Sequence, residues 1–127
     1  MWDYFEGNEK AFMSEMAKVE TKTHLFNGFS TLKWNSNKTY LDELEQRGAP
    51  VIRTITVDRV TPSSITKAFE DLGADKIVIK PQIGGGAWRQ VLCQKGEALP
   101  AKDQLPPAGA MIQPFLPSVI ELSLIHI

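Results

Sequence analysis

The sequence predicts an α+β fold, read along the chain as an alternation of helices and strands. Residues 51–57 and 77–80 are short runs rich in β-branched residues, as strands require. Between them, Thr61-Pro62-Ser63 opens a stretch that places Ile65, Phe69 and Leu72 on one helical face, and Gly73 supplies the stop. After the second run come Lys80, Pro81 and the glycines Gly84, Gly85 and Gly86. A further strand-like run, residues 89–94, then follows.

The remaining elements follow from the same signals. Gly7 or Asn8 can cap a first helix running to about Lys22, with Phe12, Met16 and Val19 on one face. Leu25-Phe26 is a short apolar piece before an Asn27-Gly28 turn. Asn37 caps a second helix whose inner face is Tyr40, Leu41 and Leu44, and Gly48 with Ala49-Pro50 ends it. Residues 95–109 are rich in proline and read as a loop. Residues 110–115 form a last strand, which must end or lie at an edge at Pro114 because proline cannot donate to a ladder.

Composition narrows the function classes. At 127 residues the chain fits one domain or part of one. Fourteen basic residues against fifteen acidic, without a basic cluster, argue against a nucleic-acid partner. Cys93 sits in an apolar run and reads as a core residue, with a reactive thiol the lesser alternative. His24 and His126 are too far apart to nucleate a metal site. No apolar run is long enough to span a bilayer, and no signal pattern opens the chain. A reducing cytoplasm fits these features.

The run from Ile77 to Ala87 carries the chemistry. A strand-end lysine supplies a point charge, and the glycines let backbone N–H groups approach an anion without interference from Cβ atoms. The order differs from a Walker loop, in which the lysine follows the glycines and opens a helix. A plain flexible hairpin in an unrelated α/β domain remains the competing interpretation.

The two ends look cut. Residues 122–127, Leu-Ser-Leu-Ile-His-Ile, are what one reading frame of a sequencing-transposon adapter encodes. They are expected to be adapter-derived, which would leave His126 without function; a native terminal strand is the alternative. At the other end, the abrupt aromatic opening suggests a missing upstream region.

Four stretches then occur in a recognisable order: Asn37-Lys38-Thr39-Tyr40-Leu41, residues 48–54, residues 77–87, and Met111-Ile112-Gln113-Pro114-Phe115-Leu116. Together they resemble the ATP-grasp superfamily, in its glutathione-synthetase-like branch. Trp2-Asp3-Tyr4 and residues 33–38 are similar to its cycloserine-biosynthesis type. The resemblance implies a remnant of a preceding α/β substrate domain and linker at 1–34, and a first ATP-grasp lobe with adenine hinge at 35–121. It implies that Lys38 and Lys80 reach the phosphates of ATP and that Val78 packs against adenine. Gly84, Gly85, Gly86 and Ala87 would form the mobile phosphate loop, and Gln113, Pro114, Phe115 and Leu116 the hinge whose backbone reads adenine. Two lysines suit a polyphosphate, and a glycine loop can close over it.

By the same resemblance, the complete protein would be an ATP-dependent carboxylate–amine ligase working through an acyl phosphate. ATP and Mg²⁺ would be its cofactors, and a carboxylate and an amine its substrates. It would be cytoplasmic, and a homo-oligomer is compatible with the family. The magnesium ligands would lie beyond Glu121, leaving the fragment alone inactive. Asp58, Glu70, Asp71, Asp75, Glu97 and Asp103 show no ligand spacing and read as solvated charges.

A non-catalytic nucleotide-binding or protein-interaction module of the same fold is the alternative function. Taken singly, each residue also has an ordinary role. Lys38 fits a helix surface, Lys80 a snorkelling strand end, and Gln113 an edge-strand polar position. Trp34 fits packing. Trp88 fits packing or a cover for the nucleotide, and Arg89 fits a phosphate or a surface carboxylate.

Overall fold

The structure, a computed structural model, describes residues 7–118. The opening aromatic cluster and the 122–127 tail lie outside the described residues. The elements in order are α1 (Glu9–Glu20), α2 (Phe29–Ser36), α3 (Tyr40–Gln46), β1 (Ile55–Val57), α4 (Pro62–Leu72), β2 (Lys76–Pro81), β3 (Val91–Gln94) and β4 (Ala110–Pro114). The strands form one sheet in the order β1-β4-β2-β3. Every pairing is antiparallel. The helix–strand alternation in sequence thus yields a mixed fold with an antiparallel sheet.

Strand β2 shows why the sheet has two unlike faces. Side chains alternate across a strand, and burial alternates with them: Ile77, Ile79 and Pro81 are buried while Lys76, Val78 and Lys80 are only partly so. The buried set meets α4. Its Ile65, Ala68 and Phe69 join Ile77, Ile79, Ala110, Ile112 and Cys93 in one apolar core. Fully burying an isoleucine contributes about 1.5–3 kcal/mol. Ile65, Ile77, Ile79 and Ile112 are each less than 2% exposed, so this layer dominates stability.

Local signals set the bounds of α4 as expected. The Thr61 hydroxyl accepts from the Ser64 N–H at 3.1 Å, and the Ser64 hydroxyl accepts from the Thr61 N–H at 2.9 Å, a reciprocal cap with Pro62 just inside. Gly73 ends the helix in the left-handed region at φ 61°, where a Cβ would be strained.

Other elements depart from the sequence expectation. The strand expected at 51–57 is laddered only over Ile55–Val57. At Thr54 the side-chain hydroxyl turns back to donate to the Ile52 carbonyl at 2.8 Å, a local bond that competes with extended pairing. Helix α2 was not expected, because Gly28 offers no capping side chain. Its cap comes from α1, where Glu20 Oε1 accepts from the Phe29 N–H at 2.7 Å. A carboxylate at a helix N-terminus is also favoured by the dipole.

Smaller corrections have similar causes. In α1 the buried residue is Met13, with Phe12, Met16 and Val19 only partly covered. Leu25-Phe26 belongs to no element, and Phe26 is 97% exposed. Asn37 does act at the start of the next helix, its Oδ1 accepting from the Thr39 N–H at 3.0 Å. Strand β3 begins at Val91 because Arg89 adopts a left-handed φ of 52°. Strand β4 is central, so Pro114 marks its end and not an edge.

Candidate functional site

The face of the sheet opposite α4 carries the candidate site. In-register pairs share a face, so Val78 lies beside Gln113 on one side and Leu92 on the other. Lys80, two residues on, lies on the same face. Its ammonium donates to Gln113 Oε1 at 3.1 Å. Gln113 Nε2 donates to Thr54 Oγ1 at 2.9 Å. Gln113 is 5% exposed and is the buried polar side chain of the described residues.

Lys38 approaches the same region from the turn before α3. Its backbone N–H donates to the Gln82 carbonyl at 2.9 Å, and Asn37 bridges to Ile83. Its ammonium donates to the Pro81 carbonyl at 3.2 Å and the Gly84 carbonyl at 2.8 Å. Lys38 therefore grips the base of the glycine loop from one side while Lys80 leaves the adjoining strand end. Burial lowers the pKa of Lys38, and the Lys80 charge lowers it further. Burial alone lowers that of Lys80. Among the described residues neither lysine forms an ion pair; their partners are carbonyl and amide oxygens. Such paired cations without a counterion hold positive charge available for an anion.

The loop itself is conformationally unusual. Gly84 has φ 154°, and a Cβ there would stand 3.1 Å from Pro81 Cγ and 3.4 Å from Trp88 Cε3. Gly86 takes φ 58°, and so do its non-glycine successors Ala87 (59°) and Arg89 (52°) approximately. Left-handed backbone at non-glycine residues is uncommon and concentrates at ligand clamps and switch segments. Arg89 sits over the Trp88 ring at 5.9 Å. Trp34 lies at the surface, 40% exposed, where its indole donates to Glu43 Oε2 at 3.0 Å and its ring meets Tyr40 at 5.0 Å.

The hinge candidates follow β4 directly. The Phe115 N–H still donates to the Lys76 carbonyl at 2.9 Å, and the Lys76 ammonium lies 4.8 Å from the Phe115 ring centre. Leu116 is 44% exposed. Lys80, Val78, Gln113 and Phe115 are thus brought together on adjacent strands of one sheet face. They do not form opposite walls of a cleft. Leu92 and Thr54 join that face without having been singled out in the sequence. Alternation along β4 and β2 marks a face, but only the register tells which residues of β1 and β3 share it.

A separate cavity of about 690 Å³ opens on the other side of the loop, lined among others by Lys10, Gln82, Trp88, Arg89 and Gly109. It does not include Lys38, Lys80 or Gln113. Cys93 is buried, and burial raises its pKa, so it is a core thiol. No group of three or more His, Cys, Asp or Glu that could hold a metal ion occurs among the described residues. No described helix is long and apolar enough to cross a membrane.

No family model matches the chain, and no curated protein matches it. Solved structures do. The D-cycloserine synthetase DcsG matches over 88% of this chain and 40% of its own, with TM-score 0.69 and 24% identity. The ADP complex of purK, an N5-carboxyaminoimidazole ribonucleotide synthetase, matches over 83% of this chain and 28% of its own, with TM-score 0.62 and 20% identity. An N5-carboxyaminoimidazole synthetase from Staphylococcus aureus matches with TM-score 0.57 and 22% identity, over 82% of this chain and 27% of its own. The chain thus spans less than half the length of each. Over the part that it covers, the chain shares the fold of these synthetases.

Proposed function

We propose that the chain supplies the phosphate-binding lobe and adenine hinge of an ATP-dependent carboxylate–amine ligase. The observation that carries this reading is the arrangement of two lysine ammoniums, without an ion-pair partner among the described residues, at the base of a glycine loop and beside the sheet face of Val78 and Gln113. In this reading residues 35–121 form the nucleotide lobe, and 1–34 belong to a preceding unit. Val78 and Phe115 present apolar surface to the adenine ring, and the backbone of residues 113–116 presents the groups that read its edge.

Lys80 offers a second N–H to the phosphates while its first stays on Gln113. Lys38 exchanges a carbonyl for a phosphate oxygen, and the loop at Gly84, Gly85, Gly86 and Ala87 closes to keep water from the reacting group. In the complete enzyme a substrate carboxylate oxygen would attack the γ-phosphorus, releasing ADP and leaving an acyl phosphate. The amine would then attack the acyl carbon and expel phosphate, losing its proton as the carbon–nitrogen bond forms. This lobe's part is to position and neutralise the transferred phosphoryl group. Magnesium would assist that neutralisation from ligands outside the described residues. A cytoplasmic location belongs to the same reading.

The test is to titrate ATP into the ¹⁵N-labelled chain. Amides of Lys80, Gly84, Gly85, Gly86 and residues 113–116 should shift together. A folded chain that shows no shifts at millimolar ATP, or shifts confined to the far side of the sheet, would refute the proposal.

A further inference from the structure

A chain of three hydrogen bonds runs through the sheet behind the lysine. Lys80 Nζ donates to Gln113 Oε1 at 3.1 Å, Gln113 Nε2 donates to Thr54 Oγ1 at 2.9 Å, and Thr54 Oγ1 donates to the Ile52 carbonyl at 2.8 Å. The two ends of the chain select the same amide orientation, since the Lys80 ammonium can only donate. A hydroxyl has one proton, and that of Thr54 is committed to Ile52. Its oxygen can therefore only accept from Gln113, so the amide nitrogen must face Thr54 and the amide oxygen must face Lys80. Rotating the amide by half a turn would set oxygen against oxygen at Thr54 and an NH₂ group against the ammonium. Gln113 is nearly inaccessible to solvent, so water is poorly placed to compensate either mismatch.

We propose that Thr54 is a positioning residue of the nucleotide site: its hydroxyl locks the Gln113 amide, and the locked amide oxygen holds the Lys80 ammonium toward the phosphates. This rests on the ATP-binding reading of that face. The design has a chemical logic. A glutamate in place of Gln113 would hold Lys80 more strongly but would cancel its charge. A neutral amide orients the ammonium and leaves the full charge for an anion. Thr54 bonds Gln113 and Ile52 and not Lys80, so its contribution to the ammonium passes through Gln113.

The experiment follows the Lys80 side chain by ¹³C NMR of its Cε across pH in the wild-type chain, Thr54→Val, Thr54→Ser, Gln113→Leu and the Thr54→Val/Gln113→Leu double variant. ATP affinity is measured alongside, in these variants and in Lys80→Ala. Thr54→Val removes the lock, so the Lys80 midpoint should fall by about half a unit or more as the amide oxygen is no longer held against the ammonium. Thr54→Ser keeps the hydroxyl and should leave the midpoint at the wild-type value. In the Gln113→Leu background Thr54→Val should add nothing, because the link is already cut. ATP affinity should fall roughly three- to tenfold in Thr54→Val and recover in Thr54→Ser.

A purely structural threonine would change thermal stability without moving the Lys80 titration. Should Thr54→Val fail to fold, the Gln113→Leu and Thr54→Ser pair reads the same link from its other end. An unchanged Lys80 midpoint in Gln113→Leu, or an undiminished Thr54→Val effect in the double variant, overturns the relay. Unchanged ATP binding in Lys80→Ala overturns instead the nucleotide reading beneath it.

Discussion

The two faces of strand β2 are built from alternate residues of one six-residue segment, yet they answer to different physics. Ile77 and Ile79 turn toward α4 and are 0% exposed. Val78 and Lys80 turn the other way, toward Gln113 and Leu92, and remain partly open. The first face is held by non-directional burial and tolerates exchange among residues of similar volume. The second is held by a few directional bonds whose donors and acceptors are each accounted for, and no buried side-chain nitrogen or oxygen of the described residues is left without a partner. In the proposed reading, stability and recognition lie back to back, one residue apart.

Substitutions on alternate positions should separate the two roles. The largest effect on stability belongs to Ile79→Ala, which leaves a cavity in the fully buried layer. Urea unfolding should show a loss of about 2–5 kcal/mol. The effect on ATP binding should be confined to the unfolded fraction. A small stability loss with a large affinity loss would mean that the faces are not independent.

Lys80→Ala should invert that pattern. Loss of a charge-assisted contact of about 1.5–3 kcal/mol corresponds to a fall in ATP affinity of roughly ten- to a hundredfold, read by calorimetry. The unfolding midpoint should fall less than in Ile79→Ala, because the loss is one partner of the Gln113 amide and not a fully buried apolar side chain. At Gly84 the two roles meet. Gly84→Ala forces a Cβ toward Pro81 and Trp88 at a φ that side chains rarely adopt. Stability should fall by about 1–2 kcal/mol, and the shifts that ATP induces at 84–87 should shrink.

The smallest effect is one of pH. Lys38 has its pKa lowered by burial first and by the Lys80 charge second. Its ammonium is therefore disfavoured in the fold, and near its titration the unfolded chain binds more protons than the folded one. Stability should accordingly rise with pH between the lowered folded value and the ordinary 10.5, and Lys38→Gln should flatten that rise. Protonated lysines bind phosphate, so ATP affinity should move oppositely over the same window. Urea unfolding and calorimetry across an alkaline pH series check both signs.

Much of this arrangement was legible in the residues because its causes are local. Thr61, Pro62 and Gly73 mark the bounds of α4, and the β-branched run within 77–80 marks β2. The cluster of Lys80 and Gln113 was legible only through the family resemblance, since thirty-odd residues separate them and nothing in their spacing requires contact. What stayed hidden was set by tertiary partners. The cap of α2 comes from Glu20 in the preceding helix. The true start of β1 depends on a threonine hydroxyl that bends back on its own chain. Lys38 was expected at the phosphates, and its grip on the Pro81 and Gly84 carbonyls could not be anticipated without the position of the loop.

The end of β2 carries one more constraint, at Gly109. The Gln82 N–H donates to the Gly109 carbonyl at 3.0 Å, and the Gln82 side chain lies across the glycine so closely that a Cβ there would stand 2.6 Å from its amide. The amide in turn reaches the Val57 carbonyl at 3.4 Å. A side chain at 109 would push that amide aside, at the cost of its reach to the Val57 carbonyl. In an alignment the two columns should change together, linking the start of the glycine loop to the start of β4 although 27 positions separate them in the sequence.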